Sequence, residues 1–355
     1  MKSKRNHPTD LQPTSLHEAG PDLFRILGLL FVNSLHACLY NGFYSLPQTG
    51  VDVWIANSFR WLFYGCNAMF MLLTGYLRST KTWKKGYYRS LLTVLVGYVL
   101  TCILSYPIRH FLLGETEPIK EWIKKFVTFS NYSWYVEMYI GLFLISPILN
   151  AGLQHINDRR QLLLFAGSCV FVTSMHSITS TDLIPNYWSA MYPVTLYILG
   201  GVIRKLQPKF PAWCCLLTAA LTAMGLGLAT LLTTDKGFSS GYTQGYGGFW
   251  VIIMVVALFL GIYRLKVSDR MGKFLQWLSG GVFEGYILSR LLDVWVYGLV
   301  PQWHTPQKYP LIFVCITIPV FILSILVGKW VHSTSVAIVG YPVKYKPLSE
   351  TEKVN

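Results

Sequence analysis

Long apolar runs punctuated by short polar segments dominate the chain, and ten of the runs approach the ~20 residues that a helix needs to cross a bilayer. They cover approximately residues 22–40, 54–77, 88–106, 132–150, 161–178, 187–203, 212–233, 247–264, 274–298 and 311–331. Each predicts a membrane helix. Pro193 interrupts the sixth run, and Glu284, Arg290 and Asp293 load the ninth with charge. The pattern predicts an all-α fold, a polytopic membrane helix bundle. Residues 1–20 are polar, carry two prolines and read as a disordered tail, residues 21–335 as one transmembrane domain, and residues 336–355 as a second tail.

Polar positions inside the first run are the costly ones. Arg25 and His36 lie eleven residues apart, almost three whole helical turns, so they share one face about 20° apart in angle and roughly 16 Å apart in height. Asp22, Asn33 and Tyr40 extend that stripe, while Ile26, Leu27, Leu30, Phe31 and Leu35 cover the remainder. A charge at the centre of a bilayer costs at least ~2.5 kcal/mol, so the stripe must face other helices or a wet cavity. Further polar groups sit at comparable depth: Arg60 and Asn67 in the second run, Trp134, Tyr135 and Glu137 opening the fourth, and Glu284, Ser289, Arg290 and Asp293 in the ninth. Arg60 is open to snorkelling or structural pairing, and Arg290 and Asp293 to an in-helix pair at spacing three.

Composition agrees with a membrane protein: 53% of residues are hydrophobic and only 13% are charged, with a mean hydropathy of +0.42. The net charge of +14 falls into short loops rather than into a basic surface interleaved with aromatics, which argues against nucleic-acid binding. Counted loop by loop with the N-terminus inside, the cytoplasmic segments hold twenty-one Lys and Arg and the outer segments six. That imbalance predicts an even number of spans, with both termini cytoplasmic. All seven cysteines fall within apolar runs and show no paired spacing with histidine. They read as small core hydrophobes, with no structural disulfide and no metal.

Several ordered motifs give the chain a family resemblance. Asp22-Leu-Phe-Arg25, ten further residues and His36 resemble the opening of the acyltransferase family 3 integral membrane proteins, with their Arg-x10-His signature. Gly65-Cys-Asn-Ala-Met-Phe-Met-Leu-Leu-Thr-Gly-Tyr76 is similar to the ending of the family's second helix, with Thr74 where a serine is usual. Trp134-Tyr-Val-Glu-Met-Tyr-Ile-Gly-Leu-Phe-Leu-Ile-Ser-Pro147 resembles a segment of surface-polysaccharide acyltransferases of Gram-positive bacteria. Tyr192-Pro-Val-Thr-Leu-Tyr-Ile-Leu-Gly200 and Gly285-Tyr-Ile-Leu-Ser289 match later helices, and the resemblance spans roughly residues 20–335. Two departures stand out. Ser289 takes a place where many relatives have histidine, and the basic motif with Lys84, Lys85 and Arg89 lacks the usual following proline.

The resemblance implies transfer of an acyl group, usually acetyl, from cytoplasmic acyl-CoA to a carbohydrate hydroxyl at the outer face of a cell membrane, as in a bacterial plasma membrane. No tightly bound cofactor is implied; acyl-CoA acts as co-substrate. Arg78, Lys81, Lys84, Lys85 and Arg89 are suited to holding the CoA phosphates, and they serve equally as determinants of topology. Arg25 is carried as part of the catalytic pair and as an anchor for the donor. His36 is expected to act as general base on the acceptor hydroxyl, or as a covalent acyl relay. Asn33, Asn67 and Arg60 are candidate donors to the developing oxyanion. Glu137 is a candidate to orient His36 or bind sugar hydroxyls, and Trp134, Tyr135 and Tyr139 are candidates to stack on a sugar ring. A proton-coupled transporter or flippase for a sugar-containing substrate is the alternative that the same polar residues allow.

Overall fold

A computed structural model describes residues 16–84, 86–114, 116, 118–128, 134–178, 184–233, 245–298 and 305–340. Every apolar run becomes helical. The first run is α1 (Gly20–Tyr40), the second divides into α2 (Val51–Tyr64) and α3 (Cys66–Arg78), and the third is α4 (Arg89–Pro107), prolonged by a π turn over Ile108–Leu112. A short amphipathic helix that the apolar runs did not predict, α5 (Ile119–Val127), precedes α6 (Trp134–His155). Then come α7 (Arg159–Ser174), α8 (Tyr192–Leu206), α9 (Ala212–Leu232), α10 (Phe249–Ile262), α11 (Asp269–Ser279) and α12 (Val282–Gly298). The last run comprises α13 (Tyr309–Ile312), a π turn over Phe313–Thr317 and α14 (Ile318–Val339). By length and composition, five of these segments suffice to cross a membrane without help: Gly20–Tyr40, Arg89–Phe111, Tyr135–His155, Ala212–Leu232 and Phe313–Val339.

Four sequence expectations need correction. The second span is not one helix, because it breaks at Gly65, where a β-carbon would press on Val255 and Met254 of α10. The ninth breaks at Gly280 and Gly281, the latter lying against the α14 backbone at Lys329. The sixth starts late: residues Asn186–Met191 form a 3₁₀ turn and α8 begins at Tyr192 with Pro193 in its first turn, where the fixed φ and missing N–H of proline are tolerated. Finally, the tails are shorter than their polarity suggests. Residues 16–18 form β1 (Leu16–Glu18), antiparallel to β2 (Lys266–Ser268), with His17 opposite Val267, and α14 runs to Val339 before Gly340 ends it in the left-handed region.

Shape complementarity comes from glycine at the tightest crossing. α3 and α8 approach so closely that a β-carbon on Gly75 would collide with the carbonyl of Tyr197, and one on Gly200 with the carbonyl of Leu72. Small residues let backbones meet in this way where no hydrophobic gain against lipid is available. Around that crossing lies the main core, which includes Phe24, Leu29, Met69, Leu72, Tyr197 and Phe259. Cys38, Cys66, Cys102 and Cys215 are buried, whereas Cys169 and Cys214 are half-buried and Cys315 is exposed. Cys315 is therefore not the core hydrophobe that its apolar run suggested, since it faces outward from the π turn.

Candidate active site

α1 sets the frame. It contacts α2, α3, α11, α12 and α14, so its polar stripe faces protein rather than lipid. Near its start, Asp22 accepts a 2.6 Å hydrogen bond from Ser279 of α11. One turn on, Arg25 lines a cavity of about 120 Å³ at the end of the bundle that bears the basic loop. Arg78, Thr74, Tyr135, Tyr139, Glu284 and His332 share its wall. Above Arg25, Phe70 lies against Gly28, where a β-carbon would come within 2.9 Å of the ring. Phe70, Tyr135 and Tyr286 pack edge-to-face with centroids 5.1 to 6.3 Å apart. This aromatic layer lies between the levels of Arg25 and His36 on α1.

His36 stands beyond that layer, half-buried, with Nδ1 2.5 Å from Oδ2 of Asp293 on α12. Asp293 is fully buried. A buried carboxylate on one ring nitrogen fixes the tautomer: the proton sits on Nδ1 and Nε2 presents a lone pair. Outward of the pair, Tyr40 meets His36 edge-on and stacks with Tyr297, whose hydroxyl bonds Thr317 in the π turn at 2.9 Å. The chemical capacity of the arrangement is that of an oriented, partly accessible imidazole backed by an acid shielded from water.

The remaining sequence-predicted residues divide. Asn33 is fully buried; in the orientation that satisfies both its groups, its amide donates to the Leu29 carbonyl and its oxygen accepts from the Phe321 N–H, each at 3.2 Å. Its oxygen thus ties α1 to α14, while its amide nitrogen points back into its own helix. Arg60 is buried among aromatics, its guanidinium 4.4 Å from the Tyr64 ring centroid and 4.5 Å from that of Trp61, with Nε donating to Tyr44 at 3.4 Å. Asn67 is buried near the start of α3. Tyr135 lines the cavity beside Arg25 and packs in the aromatic layer with Phe70 and Tyr286. Glu137 is exposed, so it does not orient His36; Asp293 holds that position. The Trp134 side chain and Lys85 lie outside the described residues. Of the basic group, Arg78 lines the cavity with its guanidinium 4.0 Å from the Phe143 centroid, while Lys84 and Arg89 are exposed.

Two partners escaped the sequence reading. The chain places Asp293 among the polar residues within the membrane and offers it an in-helix pair with Arg290, whose side chain lies outside the described residues, but it does not point to His36. Nothing in the sequence pattern singles out His332, whose Nδ1 lies 2.8 Å from Oε1 of Glu284. The signal was available in the arithmetic of buried charge: two acids in one apolar helix each require a donor, and histidines within or at the edge of other apolar runs are natural candidates.

With a polar stripe on α1, a cavity at one end and a His–Asp pair beyond it, the comparison with known families becomes interpretable. A family model describing an acyltransferase domain, acyltransferase 3, matches residues 18–329. The chain belongs to this family. No curated protein and no solved structure matches it. The match takes in all the site residues above except His332, which lies just past its end. It makes the protein a membrane acyltransferase.

Proposed function

We propose that this acyltransferase moves an acyl group, in the first instance acetyl, from cytoplasmic acyl-CoA to a hydroxyl of an extracytoplasmic carbohydrate, with His36 as general base. Ten spans with both termini in the cytoplasm suit this layout, and the distribution of Lys and Arg supports that orientation. The observation that carries the reading is the His36–Asp293 bond. Nε2 of His36 takes the proton of the acceptor hydroxyl as its oxygen attacks the thioester carbonyl. The C–O bond forms, the C–S bond breaks, and the departing sulfur receives the proton from the imidazolium. Asp293 stabilises that transient cation without taking its proton, as the acid does in hydrolase triads.

Arg25 anchors the donor from the opposite end of the path. A rigid guanidinium gives oriented, charge-assisted bonds to phosphate or amide oxygens, and Arg78 shares its cavity. Lys84, Lys85 and Arg89 bring further positive charge to the same loop. Arg60 and Asn67 remain the candidates for oxyanion stabilisation. The deciding experiment is His36→Ala: acyl transfer is lost while expression and membrane insertion persist, and retained activity removes the general-base assignment.

A further inference from the structure

Glu284 is the second buried acid of α12, and it faces away from the first. Nine residues separate it from Asp293, which at ~100° per residue turns the two side chains to opposite faces of the helix. Only 2% of Glu284 is exposed. His332 of α14 holds Oε1 at 2.8 Å, whereas Oε2 is buried with no hydrogen-bond partner among the described residues. The residue is among those that line the cavity with Arg25 and Arg78. α4 leaves room for it: a β-carbon on Gly97 would stand 2.9 Å from Oε1. Gly97 lies about two turns in from Arg89, so the carboxylate is deeper than the basic rim.

We infer that Glu284, oriented by His332, is the acceptor that recognises an amide N–H of the pantetheine arm of CoA. The inference rests on the donor reading above and deepens it. A ligand for this cavity must be anionic at its rim, where Arg78 and the basic loop lie, and slender and largely apolar within, between Phe70, Leu73, Leu77, Val94 and Phe283. It must also carry a donor for a buried carboxylate oxygen. CoA has that sequence of features: phosphates, then an arm interrupted by two amides. An amide taken from water into an apolar cleft is penalised unless it is hydrogen-bonded, and a carboxylate acceptor gives a bond about twice as strong as a neutral one. Lys329, which interacts electrostatically with Glu284, lies over Trp277 at 5.9 Å and beside Gly280; Gly280 lines the cavity and Lys329 does not.

The test uses full-length protein in nanodiscs and two probes, CoA and its head fragment adenosine 3′,5′-bisphosphate, with affinities from calorimetry. Glu284→Gln weakens CoA at least fivefold and Glu284→Ala more, while the head fragment stays within twofold of the wild-type value. His332→Gln, which can still donate to Glu284, retains most of the CoA affinity that His332→Ala loses. Unchanged CoA affinity in both Glu284 variants overturns the inference alone. Parallel weakening of CoA and the head fragment also overturns it, since Glu284 then holds the fold rather than the arm. Failure of the wild-type protein to bind CoA overturns this inference together with the donor reading.

Discussion

Asp293→Asn is the sharpest probe of the site, because it changes one buried atom. The carboxylate is fully buried and its Oδ2 lies 2.5 Å from Nδ1 of His36; Oδ1 is buried and has no hydrogen-bond partner among the described residues. A hydrogen bond to a charged group contributes about 1.5–3 kcal/mol, which at 1.36 kcal/mol per decade corresponds to roughly 10- to 150-fold in rate. The amide adds a second penalty. If its NH₂ faces the ring, Nδ1 must accept and the proton moves to Nε2, the atom required as base; the same exchange in a serine protease triad costs about 10⁴ in kcat. The expected fall in kcat is therefore about 10² to 10⁴, with CoA affinity within about twofold of wild type, since Arg25 and its cavity lie on the other side of the aromatic layer. Thiol release from acetyl-CoA, with cell-envelope glycan as acceptor and protein in proteoliposomes, reads the rate. Adding Asp293→Asn to His36→Ala should cost nothing further, because residues that act as one unit are not additive. A variant keeping activity within fivefold of wild type would falsify the role given to Asp293.

Two further predictions concern the framework. Asn150 of α6 donates to the carbonyls of Arg78 and Lys81 at 2.9 and 2.8 Å and accepts from Tyr197 at 2.7 Å, so it ties the basic loop to the bundle. Asn150→Ala is expected to weaken CoA binding about three- to tenfold, with a small change in melting temperature, and an unaltered Kd by calorimetry would show that the loop needs no such tie. Gly75→Ala sets a methyl group against the Tyr197 carbonyl, and its cost should reach or exceed the top of the ~1–3 kcal/mol range for overpacking. A thermal unfolding midpoint in detergent equal to that of wild type would refute the close contact of α3 with α8.

Period and composition determine a great deal in this chain. A run of apolar residues has to become a helix in lipid, because no other local structure satisfies its backbone N–H and C=O groups, and all ten runs did. The stripe joining Arg25 to His36 was equally legible, since eleven residues bring any helix back to nearly the same face. Helix breaks were less so. Gly65, Gly280 and Gly281 are ordinary within an apolar run, and the helices break where what lies opposite them leaves little room for a β-carbon, a property of packing rather than of spacing. The short pairing of residues 16–18 with 266–268 joins segments almost 250 residues apart, and no local pattern announces it.

The same division runs through the site. Sequence alone fixed which residues are costly in a membrane, but not how they pair, because the cost is local whereas its relief comes from whichever helix packs alongside. Glu137 and Asp293 are the same chemistry to a reader of the chain. Tertiary structure turned Glu137 outward, set Asp293 against His36, and gave Glu284 to His332. Asn33 carried a plausible donor group, but its amide nitrogen turns back to the Leu29 carbonyl of its own helix while its oxygen accepts from α14. A one-dimensional pattern states that a buried charge must have a partner; only the crossing of α1, α12 and α14 decides which partner that is.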